Sequence, residues 1–109
     1  MTTFLTTAIS LNMLERKSYR LETAPIDLQR AKSLLSVDYV NAVGHESTAA
    51  ILSNMLGMDI KRSRVNVVAK DGDVAVVAQY HGPRLPEGAT TLPDGASIEF
   101  WEVRFYVVI

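Results

Sequence analysis

The apolar residues change their spacing along the chain, and that change restricts the fold more than any other feature. β-Branched and aromatic runs occupy Thr3–Ile9, Tyr19–Glu22, Arg64–Ala69, Val74–Tyr80 and Ile98–Ile109, residue types that suit a pleated, half-buried surface. Between them lie two stretches of helical period: Leu28, Ala31, Leu34 and Leu35, then Thr48, Ile51, Leu52, Met55 and Leu56. Asp27 stands where it can cap the first helix, behind Ile26 as staple residue, and that helix is expected to end near Ser36. The second is expected over 44–56, with Gly57 supplying the left-handed residue that ends it. Strands before, between and after two helices give an α/β (α+β) class: a mixed sheet of about five strands packed with two or more helices.

Several segments are expected to do less. Ser10–Leu14 reads as an irregular connection, Pro25 as the close of the second strand, and residues 37–43, with no clean period, as mixed extended or turn structure. Lys70-Asp71-Gly72-Asp73 contains the Asp-Gly pair that two-residue hairpin turns prefer. Counting outward from that turn pairs Lys70 with Asp73, Val67 with Val76 and Arg64 with Gln79. The resulting ribbon has one apolar face, made of Val65, Val67, Ala69, Val74, Val76 and Ala78. The last run, with Phe100, Trp101, Val103, Phe105, Val107 and Ile109, is heavy enough in apolar mass to sit centrally in the sheet.

With 109 residues the chain is read as one domain, 1–109, and its 48% hydrophobic content can fill a core of that size. Eleven basic against twelve acidic side chains leave a formal charge of -1, so no domain-wide basic field exists to hold long nucleic acid. An anionic partner must be met by a local cluster. The absence of cysteine excludes disulfides, thiolate nucleophiles and the usual structural zinc sites, and it points to the cytoplasm. No apolar run approaches the ~20 residues that span a bilayer, and Met1–Thr7 lacks the pattern of a secretion signal, so no membrane partner is expected.

Two histidines carry most of the chemical interest. His45 follows Gly44 at the start of the second helix, where free backbone N–H groups and the positive dipole pole can hold a phosphate beside the imidazole. On residue type alone, a partly buried histidine satisfied by a carbonyl is the commoner arrangement. His81 sits after a strand with no assigned role. Two separated histidines without cysteine match neither zinc nor iron patterns, so no metal and no cofactor are expected. Asp71 and Asp73 are explained by their turn. The loop Gly82–Gly88 holds Arg84 and Glu87 and reads by composition as a solvated loop. Arg84 nevertheless falls at the same end of the predicted hairpin as Arg64 and Gln79, so these groups and the helix N-terminus can converge on one anion. No phosphate-binding glycine loop, nucleophile elbow or dinucleotide fingerprint is present. The few aromatic residues are not interleaved with basic ones as a stacking platform would require.

Three segments in order resemble a known family: Ser10-Leu11-Asn12-Met13-Leu14; GHESTA at 44–49 with Ile51-Leu52 and Leu56-Gly57; and Gln79 with RLPEG at 84–88. They are similar to the type III anti-CRISPR ring nucleases, small proteins of archaeal and bacterial viruses with relatives in some cellular CRISPR loci. The resemblance implies a homodimer that binds cyclic tetra-adenylate on its two-fold axis. It further implies metal-independent cleavage to linear di-adenylate ending in a 2′,3′-cyclic phosphate, which switches off type III CRISPR signalling in the host cytoplasm. Carried over by position, the catalytic histidine is His45 and its acidic helper Glu87. The ligand contacts are Ser10, Asn12, Arg64, Gln79 and Arg84, with Thr7 where relatives can have asparagine. The chemistry is compatible, because a ribose 2′-OH lies beside the phosphorus it attacks and the protein need supply only geometry, charge and a proton for the leaving oxygen. The alternatives are a non-catalytic sponge for a cyclic oligonucleotide and a small viral interaction or DNA-binding module.

Overall fold

The computed structural model describes residues 1–108. Five strands, β1 (Thr3–Thr6), β2 (Tyr19–Ile26), β3 (Tyr39–Asn41), β4 (Val74–His81) and β5 (Ser97–Val107), form one mixed sheet in the order β2-β5-β4-β1-β3. β1 runs parallel to both β3 and β4, whereas β5 is antiparallel to β4 and β2. Two helices, α1 (Leu28–Leu34) and α2 (Glu46–Leu56), complete an α+β fold.

Both helices pack on the same side of the sheet. Ala31 and Leu35 join Ala49, Leu52 and Leu56 over Leu5, Val76, Ala78 and Phe100, and these residues form the main core. Strand alternation sends Phe4, Ala75, Val77, Val103 and Phe105 to the opposite side. There a smaller cluster is closed by Val67 and Ala69 of a loop rather than by a helix. β5 has a neighbour on each edge, as its apolar mass leads one to expect, and Ile109 lies outside the described residues.

The caps follow local chemistry. The Asp27 side chain accepts from the Arg30 N–H at 2.8 Å, and Gly57 takes φ 65 at the end of α2, where a side chain is strained. α2 begins two residues later than the spacing suggested, with His45 extended at the cap position. β1 ends at Thr6 instead of Ile9, and Tyr39–Asn41 within the mixed segment forms β3. Pro25 does not close its strand: it lies inside β2, opposite Trp101, and is tolerated because β2 is an edge strand.

The predicted hairpin is the main correction. Residues 64–69 form no strand, and Val67–Val76 and Arg64–Gln79 are not pairs; β4 lies between β1 and β5. The turn itself exists, with the Asp73 N–H donating to the Lys70 carbonyl at 3.1 Å. An Asp-Gly turn reverses the chain without choosing its partner. The choice is made by the Asp73 carboxylate, 3% exposed, which accepts from the Thr2 and Lys70 N–H groups at 2.8 Å each. The Val74 N–H also donates to the Thr2 carbonyl, so β1 occupies the edge a hairpin would need. The supposed apolar face is thereby split. Val76 and Ala78 lie under the helices, Val67 and Ala69 cap the other side, and Val65 is exposed.

Candidate functional site

Because β1, β3 and β4 are parallel, their carboxyl ends emerge at one end of the sheet, and the chain leaving β3 enters α2 there. The first turn of α2 therefore opens onto the same end as the loop following β4, the usual place for a ligand crevice in open sheets with parallel strands. A cavity of about 570 Å³ lies there, with walls that include Gly44–Thr48, Arg62, Arg64, Tyr80 and the loop residues Gly82, Arg84 and Glu87.

His45 is exposed, and its ring makes no hydrogen bond among the described residues, so it is not the carbonyl-satisfied histidine of the commoner arrangement. Its backbone carbonyl accepts from the Ala49 N–H at 2.9 Å, the first bond of α2. The N–H groups of the first turn are left facing the cavity, where an anion can meet them. Arg64 is held nearby by its Nε, which donates to the Gly44 carbonyl at 3.3 Å.

Arg84 and Glu87 reach the cavity on a loop that is fixed at its start. A Cβ on Gly82 would lie 2.7 Å from the Ala96 side chain and 2.8 Å from the Tyr80 hydroxyl, so only glycine fits. Tyr80 in turn donates its hydroxyl to the Pro83 carbonyl at 2.6 Å, and Ser47 of α2 donates to the Pro86 carbonyl at 3.4 Å. These contacts couple the loop to β4 and to α2.

Three of the arginines without a carboxylate partner line this cavity, while Arg16 and Lys32 are without one elsewhere among the described residues. Lys17, Arg30, Lys61, Lys70 and Arg104 are engaged by carboxylates, and Arg20 lies over the Tyr106 ring. Arg62, Arg64 and Arg84 have no such partner among the described residues, and all three line the one cavity, together with Glu46 and Glu87. Uncommitted cations gathered around a helix N-terminus form an anion-binding arrangement. Among the described residues no three His, Asp or Glu side chains come together as a metal would require.

Of the sequence-derived site residues, the fold brings His45, Arg64, Arg84 and Glu87 together. Gln79 is not beside Arg64, because strand alternation turns it to the other side of the sheet. There it shares a second depression with Thr7, Thr23 and Trp101, whose indole N–H is buried without a partner. The Ser10 hydroxyl accepts from the Asn12 N–H at 3.1 Å and caps a 3-10 turn at Leu11–Met13, so both residues stand outside the cavity. His81 lies 3.3 Å from Glu99 on the strand ends. Sequence reasoning missed Arg62, Ser47 and Tyr80. For Arg62 the signal was its position two residues before Arg64, and both line the cavity.

Among the described residues no helix is long and apolar enough to cross a membrane. The STIV B116-like family model matches residues 3–101. The chain is 30% identical over 86 residues to "Uncharacterized protein 26" of Sulfolobus islandicus filamentous virus, covering 78% of this chain and 72% of that one. It is 34% identical over 90 residues to "Uncharacterized protein ORF116" of Acidianus filamentous virus 1, covering 76% and 77%. Among solved structures, B116 of Sulfolobus turreted icosahedral virus superposes with a TM-score of 0.80 at 29% identity, over 94% of this chain and 98% of B116. An α+β sheet with this strand order, matched nearly end to end in sequence and in structure, makes the chain a member of the STIV B116-like family of viral proteins.

Proposed function

We propose that this protein binds cyclic tetra-adenylate as a homodimer and cleaves it without a metal, so that type III CRISPR signalling in the infected cell is switched off. The observation that carries the reading is the meeting of His45, Glu87 and three unpaired arginines at the N-terminus of α2. A phosphodiester in that cavity finds cations for its non-bridging oxygens and an imidazole for its leaving group.

The reaction needs no water. The ribose 2′-oxygen forms a bond to phosphorus, the bond from phosphorus to the 5′-oxygen breaks, and the product ends in a 2′,3′-cyclic phosphate and a free 5′-hydroxyl. His45 gives its proton to the departing 5′-oxygen, and Glu87 takes the proton released from the attacking 2′-OH. Arg64 and Arg84 stabilise charge building on the phosphoryl oxygens, typically worth about 3 kcal/mol per well-placed donor. Two subunits present two such imidazoles to opposite linkages of a four-fold ring, which yields di-adenylate. The test is incubation of the folded protein with cyclic tetra-adenylate in excess EDTA. Conversion to di-adenylate bearing a cyclic phosphate is expected; an intact ring after prolonged incubation overturns the reading, and binding without cleavage establishes a sponge instead.

A further inference from the structure

We infer that Asn54 is a positioning residue for the proposed reaction: with Ser47 it fastens the turn that carries Glu87 along α2, the helix capped by His45, and so sets where the Glu87 carboxylate stands relative to the imidazole. The inference rests on the ring-cleaving reading above and deepens it.

Residues 82–96 contain no helix or strand, none of them is buried, and none belongs to either core cluster. Burial therefore does not place Glu87, and hydrogen bonds must. Glu87 stands at the tip of a tight turn, closed by the Ala89 N–H donating to the Pro86 carbonyl at 3.1 Å. α2 grips that turn on both sides. The Ser47 hydroxyl donates to the same Pro86 carbonyl at 3.4 Å, one residue before Glu87. The Asn54 side-chain N–H donates to the Thr90 carbonyl at 2.8 Å, just past the turn. Ser47 and Asn54 are two helical turns apart, so they lie on one face of α2, about 10 Å from each other along its axis. His45 caps this same helix and lines the cavity with Ser47 and Glu87. The acid and the base are thus both referred to one rigid element. Arg84 precedes the turn and is tied separately, where Tyr80 donates to the Pro83 carbonyl. Asn54 and Thr90 lie outside the cavity, so Asn54 reaches the chemistry only through the turn it holds.

The experiment is a double-mutant cycle of wild type, Asn54→Ala, Glu87→Gln and the double variant, each measured for binding of cyclic tetra-adenylate and for single-turnover cleavage at saturation. Asn54→Ala is expected to keep affinity within about threefold of wild type and to lower the cleavage rate at least about tenfold, because a misplacement of about 1 Å can cost about 10²-fold. In the Glu87→Gln background the same change should cost less than about twofold, since the carboxylate it places is gone. A wild-type rate in Asn54→Ala, beside a slow Glu87→Gln, overturns the inference and leaves the role of Glu87 standing. Equal rate losses in the two backgrounds also overturn it, because a residue that merely steadies the fold adds its effect to any other. So does a loss of affinity with the rate at saturation intact. A wild-type protein that does not cleave the ring, or a Glu87→Gln variant as fast as wild type, overturns the underlying reading and this inference with it. Asn54 is exposed and belongs to neither core cluster, so Asn54→Ala folds, and matching thermal melts verify that.

Discussion

Replacing His45 by alanine separates catalysis from stability and from binding, and each magnitude follows from where the residue sits. His45 caps α2 through its backbone carbonyl alone and its side chain makes no capping bond, so alanine leaves the helix as stable to within about 0.5 kcal/mol. The cations that face a phosphate are untouched, so affinity for cyclic tetra-adenylate should stay within a few fold of wild type. The rate is another matter. Loss of a positioned general acid typically costs 10²–10⁴-fold, about 3 to 5.5 kcal/mol of barrier. The assay is single-turnover cleavage of the ring and of an analogue whose leaving 5′-oxygen is replaced by sulfur. A thiolate departs without a proton, so on that analogue the deficit of His45→Ala should shrink to a small factor. Equal losses on both substrates would show that the imidazole does not protonate the leaving group, and full activity in the variant would remove it from the reaction.

Two further predictions concern the scaffold. Asp73→Ala removes a buried carboxylate that accepts two N–H bonds at 2.8 Å; it should destabilise the protein by about 3 kcal/mol, or about 12 °C in Tm, and a loss below about 1 kcal/mol in denaturant titration would refute the role given to Asp73 in seating β1. The Lys70 ammonium, 3.2 Å from Glu15 and hydrogen-bonded to it, holds that carboxyl below the usual range, with Lys17 adding to the effect. A lowered folded value means that the associated stabilisation is present above the unfolded carboxylate range and is lost as pH falls through the folded value. Lys70→Ala should move the Glu15 midpoint upward in a carboxyl NMR titration; an unchanged midpoint sinks the assignment.

What could be read from the sequence was whatever neighbours along the chain decide. Asp27 caps α1 and Gly57 ends α2 because capping needs only the residues of one turn. The heavy last strand is interior for a similarly local reason: apolar side chains on both of its faces need cover on both. Strand partners are a different kind of information. Nothing within residues 64–80 reveals that Asp73 will bind the backbone of Thr2, 71 positions away, and so replace a hairpin by a parallel strand. The error carried into the site, because the grouping of Gln79 with Arg64 depended on that hairpin. Arg64 reaches the cavity by another route, alongside the strand that leads into α2, and brings Arg62 with it.

The parallel strands also explain how a nearly neutral chain concentrates positive potential. A helix that returns from one parallel strand toward another must start at the carboxyl end of the first, so α2 presents its positive pole where β1, β3 and β4 all end. The loop before β4 and the loop after it reach that same end and contribute Arg62, Arg64 and Arg84. Elsewhere five of the basic side chains are engaged by carboxylates, whereas the three arginines of the cavity face Glu46 and Glu87, so a chain of formal charge -1 keeps a small local positive excess there. Selectivity follows from this distribution. A duplex needs basic contacts spread along many phosphates, and its affinity scales with that number. Three arginines in one cavity of about 570 Å³ reward a compact ligand whose phosphates are close together, and such a ligand gains little from a partner surface that is otherwise balanced in charge.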